Sequence, residues 1–158
     1  MTIAARYAHG LAARPAAIVE NAAVQRTPLS AVAVVISFVD HINRRALHGL
    51  VQLMSADHRL EIFDEDPLVG REANAAAWRG YFYAFPDYLI HPRLISESDG
   101  TVAILGYTTG SHLGLPDDEE RQRTLIWVGD VADGAVTRWR LIEDNPANRV
   151  AYGLDATG

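Results

Sequence analysis

Hydrophobic positions along this chain change period several times, and each change marks an element. Thr27-Pro28 places a capping hydroxyl before a proline suited to a first helical turn. Beyond it Val32, Val35, Ile36, Val39 and Ile42 recur at helical spacing with Phe38 alongside, which predicts a helix ending at Asn43-Arg44-Arg45. Leu47, Leu50, Val51 and Met54 keep that spacing as a second, short helix, broken by Ser55-Ala56-Asp57. From His58 the period falls to two: Leu60, Ile62 and Asp64 share one face of a strand, Arg59, Glu61, Phe63 and Glu65 the other. The first set is the more apolar, so it should face inward and aim Asp64 at the interior. After a loop at Pro67–Gly70, a third helix is expected over Arg71–Phe85. It carries Asn74, Trp78, Tyr81, Phe82 and Phe85 near one side, with Tyr83 outward, and Pro86 stops it.

Four strands should follow: Tyr88–Glu97, Thr101–His112, Thr124–Val131 and Val136–Asp144. Ser98-Asp99-Gly100 joins the first two, and Asp133-Gly134-Ala135 turns the last two into a hairpin. Leu113–Glu120, with its run of acids, reads as a solvated loop, and a short helical tail is expected around Ala147–Gly153. Residues 1–26, rich in alanine, read as an N-terminal extension, either a tail or a short helix opened by Pro15; the domain occupies 27–153, and 154–158 form a tail. This order is an α+β domain, three helices on one face of a curved, mainly antiparallel but mixed sheet.

Composition narrows the chemistry. The 158 residues suit one domain with a full core, and 49% hydrophobic against 22% charged residues is globular usage. Without cysteine there is no disulfide, thiolate nucleophile or cysteine zinc site, and without lysine no Schiff base. A net charge of −6 with scattered arginines argues against a nucleic-acid partner. No apolar run is long enough to cross a bilayer, and Arg14-Pro15 interrupts any leader-like core, so a cytoplasmic protein is expected. The histidines lack metal-ligand spacing: no metal and no cofactor is expected.

Several segments, taken in order, resemble one family: S-F-V-D-H-I-N-R-R-A-L-H-G-L-V-Q-L-M, D-H-R-L-E-I-F-D-E-D-P, V-G-R-E-A with its aromatic helix ending in F-P-D, T-T-G-S-H, and D-G-A-V-T-R-W-R. Together they span Leu29 to Asp144 and are similar to the cone fold of nuclear-transport-factor-2-like proteins, within it to the SnoaL-like group. The resemblance implies a cone-shaped pocket between sheet and helices. That fold carries isomerases, hydrolases, cyclases and plain binding modules, so activity must be argued from the site. Where ketosteroid isomerase relatives place an oxyanion-hole tyrosine this chain has Phe38, and their late aspartate falls on Ile126 or Trp127. The limonene-epoxide-hydrolase-like triad falls on Gly106, Thr108 and Leu141, and the acid of the ring cyclases also falls near Leu141. These three mechanisms are disfavoured, although Glu143 and Asp144 lie just beyond.

Alternation turns Val102, Ile104, Gly106, Thr108, Gly110 and His112 inward on one strand, Arg123, Leu125 and Trp127 on the next, and Trp139 and Leu141 on the last. Glycines beside tryptophans leave room for a flat apolar ligand, unless the aromatics simply fill the cone. The candidate catalytic residues are Asp64 and Asp66, as a base whose pKa burial would raise. The candidate ligand-binding residues are Phe38, Trp78, Phe82, Thr108, His112, Arg123, Trp127, Trp139 and Leu141. Arg123 and His112 should stand opposite one another near the open end, or else pair with Asp117, Glu119 or Glu120. The expected function is binding of a small, largely apolar aromatic or polyketide-like metabolite, with cofactor-free isomerase, cyclase or hydratase chemistry; the alternative is a non-catalytic binding or assembly module. Ala103, Leu105, Tyr107, Ile126, Val128 and Ile142 make the convex face apolar, which predicts a homodimer packed sheet to sheet.

Overall fold

A computed structural model describes residues 29–155; the N-terminal extension, the Thr27-Pro28 helix start and residues 156–158 lie outside them. Helix α1 (Ala31–Asn43) is capped by Ser30, whose hydroxyl oxygen accepts from the Ala33 amide at 3.1 Å. Its buried stripe is Val34, Val35, Phe38, Val39 and Ile42, whereas Ile36, expected in the stripe, points to solvent. Helix α2 (Leu47–Gln52) is followed at once by β1 (Met54–Ile62). The strand thus starts four residues before the pattern predicts. Met54 pairs with Val136, and the Val136 amide donates to Leu53 at 2.7 Å, so sheet pairing overrides the helical spacing of Met54.

The expected loop after β1 contains a two-residue edge strand, β2 (Leu68–Val69), paired with Arg59 and Leu60. Helix α3 (Arg71–Ala84) leads to the hairpin β3 (Leu89–Ser98) and β4 (Thr101–Thr109). A single helical turn, α4 (Asp117–Glu120), stands where a loop was expected. The hairpin β5 (Leu125–Ala132) and β6 (Ala135–Glu143) and the tail helix α5 (Pro146–Ala151) complete the order. Both hairpins turn on Asp-Gly with two positive φ angles, 50° and 85° at Asp99-Gly100 and 52° and 75° at Asp133-Gly134. That is the type I′ geometry whose twist matches the flanking strands.

The six strands run in the order β2-β1-β6-β5-β4-β3, antiparallel except for the parallel pair β1–β6. On the concave face Ile90, Val102, Ile104, Trp127 and Trp139 pack against Val34, Val35, Phe38 and Ile42 of α1 and Trp78 and Phe82 of α3. The Asn43 side chain holds the end of α1 to β3: its amide donates to the Ile90 carbonyl at 2.9 Å, and its oxygen accepts the Ile90 amide at 2.8 Å.

The convex face carries the second apolar cluster, Ala103, Leu105, Ile126 and Val128, with Ile142 beside it. The chain covers this face itself. At the end of α5, Gly153 (φ 69°) closes the helix, with its amide on Val150 at 3.3 Å and the Leu154 amide on Arg149 at 2.7 Å. This cap aims Leu154 onto the cluster, while Tyr152 lies under the Arg140 guanidinium at 5.6 Å. The apolarity from which a dimer was expected is therefore met, at these four residues, within one chain.

Candidate functional site at the open end of the cone

The deep cone is solid. Phe38 and Ile104 are 0% exposed and Trp127 and Trp139 are 2% exposed, with Phe38 and Trp139 rings 4.9 Å apart. The glycines expected to leave room for a ligand serve the backbone instead. A Cβ on Gly106 would lie 2.2 Å from the His91 carbonyl oxygen, and one on Gly110 (φ 69°) would lie 2.4 Å from that of Asp87. Gly106 admits β3, which shifts register between Pro92 and Leu94, and Gly110 admits the turn that leads into it.

The expected inward base is corrected by where β1 stops. Phe63, at φ 49° and with its amide on Leu141 at 2.9 Å, opens a turn closed by Glu65 onto Ile62. Alternation ends one residue before Asp64, and Asp64 and Asp66 both stand exposed outside the cone. Leu141 does face inward, opposite Ile62 and Trp127 in the sheet register. The acids beyond it are turned away. Glu143 is exposed, and Asp144 accepts from Thr124 and from Arg149 at 2.6 and 2.9 Å. The Arg149 guanidinium is the main reason its carboxyl lies below the usual range.

Leu60, Tyr81, Phe85, Leu125 and Leu141 are half-buried against the core, Leu125 and Leu141 at the end of the sheet where β5 begins and β6 finishes. Beside them lies a polar group that sequence reasoning largely missed. Thr108, facing inward at the end of β4, donates its hydroxyl proton to Glu120 on α4, and the second carboxylate oxygen lies 3.5 Å from the Ser111 amide. Glu120 is 1% exposed although it closes a run of four acids. Its only sequence signal is Pro116: a helical turn begun there must aim one residue of its last positions back at the sheet.

Tyr81, on α3, reaches the same end. Its hydroxyl lies 2.8 Å from His112 Nδ1 and accepts the His112 amide at 3.2 Å. Its ring is flanked by Phe85 at 4.7 Å and Tyr88 at 4.9 Å. Burial, with the nearby Glu120 charge, pushes the Tyr81 phenol above its ordinary pKa against the opposing His112 amide. Burial likewise holds the Tyr88 phenol protonated, with Tyr81 and Glu120 adding to it. His112 is exposed and pairs with Tyr81 rather than with Arg123, which stands exposed ahead of β5. Of the expected binding residues, Phe38, Trp78, Phe82, Trp127, Trp139 and Leu141 are brought together, Thr108 is engaged by Glu120, and Arg123 is apart.

One further polar group faces the interior. His58, fully buried on β1, has Nδ1 2.6 Å from the Val136 carbonyl oxygen, so the bonded nitrogen carries the proton. Among the described residues its Nε2 and the Trp78 Nε1 are buried without a partner, and burial pushes the imidazole pKa down. Among the described residues no three of His, Asp and Glu gather as a metal set would need, and no helix is long and apolar enough to cross a membrane.

Solved structures share the architecture. A cystatin-fold protein of unknown function from Novosphingobium aromaticivorans is 15% identical, covering 73% of this chain and 99% of its own, with a TM-score of 0.63. A putative SnoaL-like polyketide cyclase from Jannaschia sp. CCS1 is 19% identical over 84% and 98%, with a TM-score of 0.58. TerC, crystallised with polyporic acid, is 14% identical over 78% and 98%, also with a TM-score of 0.58. At these identities the likeness shows the fold. No curated protein matches the chain. The family model of the SnoaL-like domain matches residues 35–139, from the middle of α1 through β6 to Trp139. With well over half of its length matched and the cone built as that family builds it, this chain belongs to the SnoaL-like domain family.

Proposed function

We propose that this protein binds a small, largely apolar, ring-bearing metabolite at the open end of its cone and moves a proton on it through Tyr81 and His112. The observation that carries the reading is the Tyr81 hydroxyl, held by both the ring nitrogen and the amide of His112 on a ring packed between Phe85 and Tyr88. While His112 Nδ1 is unprotonated, the phenol donates to it. When Nδ1 carries a proton, the phenol oxygen accepts both N–H groups and its own proton is free for a ligand oxygen. A pair that alternates so can polarise a carbonyl or return a proton to an enol without a cofactor. The Jannaschia protein, named a putative SnoaL-like polyketide cyclase, and TerC, co-crystallised with polyporic acid, support the same ligand class. The filled depth of the cone limits the ligand to its mouth.

A second reading, binding without turnover, is favoured by one observation. Glu120, the buried carboxylate at this end, has its oxygens directed at Thr108 and Ser111 rather than at open space. The two are separated by screening aromatic hydroxy acids and enolisable diketones for thermal stabilisation, then following deuterium exchange at the enolisable carbon of any binder. Proton transfer predicts exchange that Tyr81→Phe slows by about 100-fold or more while binding persists. Binding with no catalysed exchange leaves the binding-only reading, and no binder in either class overturns both.

A further inference from the structure

A cleft of about 620 Å³ lies outside the cone, on the outer side of the β3–β4 edge, within the size range of small-molecule sites. Its lining includes His91, Pro92, Arg93, Tyr107, Arg121 and Gln122, with no carboxylate among them. The lining thus carries two guanidiniums and no carboxylate, with the exposed Asp117, Asp118 and Glu119 on the turn just before Arg121 left outside it. Arg93 and Arg121 are both exposed and make no ion pair among the described residues. Most of the wall between them is preorganised. His91 stacks on Tyr107 with ring centroids 4.6 Å apart and planes 13° from parallel, and its Nε2 is 2.9 Å from the Thr109 hydroxyl. The Arg121 guanidinium sits 6.0 Å from the Tyr107 ring centre. The turn that sends Glu120 inward to Thr108 is what leaves the next residue, Arg121, on this outer side. Pro92 and the register shift already protect β3 as an edge strand, so protection does not account for two arginines without an ion pair among the described residues, one of them over the Tyr107 ring.

We propose that this cleft is an anion site, separate from the cone mouth. It takes a small molecule whose carboxylate or phosphate is held by the guanidinium forks of Arg93 and Arg121 and whose body lies against His91 and Tyr107. The test uses the full-length ¹⁵N-labelled protein titrated with inorganic phosphate, benzoate and, as the uncharged counterpart, benzamide. Benzoate or phosphate should shift the amides of residues 91, 93, 107, 121 and 122, and affinity should fall with added salt. The stronger of the two anions names the charged group the site prefers. Arg93→Gln with Arg121→Gln should weaken binding at least tenfold at unchanged melting temperature, and the double lysine variant should recover part of it. Tyr81→Phe should leave it untouched, so failure of the cone-mouth reading and failure of this one are distinguishable. Equal binding of benzamide, shifts centred elsewhere, or unchanged binding in the glutamine variant would overturn the proposal. So would a sedimenting dimer that the glutamine variant dissociates, since the arginines would then face a second copy of the chain.

Discussion

Thr108 and Glu120 meet at one side of the cone's open end: the hydroxyl at the end of β4 donates to a carboxylate delivered by the one-turn helix α4. The other Glu120 oxygen faces the Ser111 amide at 3.5 Å, so the same carboxylate spans the start and end of the segment after β4. Glu120→Ala would leave a buried hydroxyl without its acceptor, and should cost about 1–3 kcal/mol of stability in urea denaturation. Glu120→Gln keeps an acceptor for Thr108 and should cost less. Because the carboxylate charge helps to hold the Tyr81 phenol above its ordinary pKa, Glu120→Gln should also lower the Tyr81 midpoint in a spectrophotometric titration at alkaline pH.

His58 sets a pH dependence whose sign follows from burial. Its folded-state pKa lies below the ordinary value of about 6.5, mainly through desolvation, with the Val136 bond and Asp57 opposing. The unfolded chain therefore takes up a proton that the folded chain resists. The stabilising difference is fully present above about pH 6.5 and is lost as pH falls toward the folded-state pKa, with a limiting slope of about 1.4 kcal/mol per pH unit. Melting temperature measured from pH 8 to pH 5 should decline below that point, and His58→Gln should flatten this part of the decline.

Much of the architecture was legible because it rests on local chemistry. The two Asp-Gly turns, the Phe38 stripe of α1 and the alternation around Trp127 and Trp139 each leave a pattern in sequence. What was not legible depends on pairing between distant segments. Met54 reads as helix until Val136 is known to lie beside it, and Asp64 reads as inward until the Phe63 turn ends the strand. The site suffered most. Glu120 is hidden in composition, since a run of four acids resembles a solvated loop and only Pro116 ahead of it marks the turn that buries its last member. The Tyr81–His112 pair joins positions 31 residues apart, one on α3 and one just after β4.

Gly106 separates the two accounts of the inner glycines. If it were there to widen a pocket, alanine would only fill space. Because a Cβ would meet the His91 carbonyl oxygen at 2.2 Å, Gly106→Ala must part β3 from β4. A loss of about 1–3 kcal/mol, typical of overpacking, is expected in chemical denaturation, together with faster amide exchange along β3. Val102→Ala, on the same strand, would lower stability by leaving a cavity, without selective loosening of β3.

Leu154 tests whether the convex face is covered within the chain. It is buried against Ala103, Leu105, Ile126 and Val128, and the Gly153 cap places it there. Leu154→Ala should cost about 2–5 kcal/mol in chemical denaturation, the range for a buried leucine. Removing the chain from Tyr152 onward would expose the whole cluster, and an apolar sheet face without cover seeks another. Light scattering should then show self-association of the truncated chain that the intact protein lacks at the same concentration. If the intact protein is already a dimer and truncation leaves its mass unchanged, the sheet-to-sheet contact does not depend on what Leu154 covers, and the tail is a local cap alone.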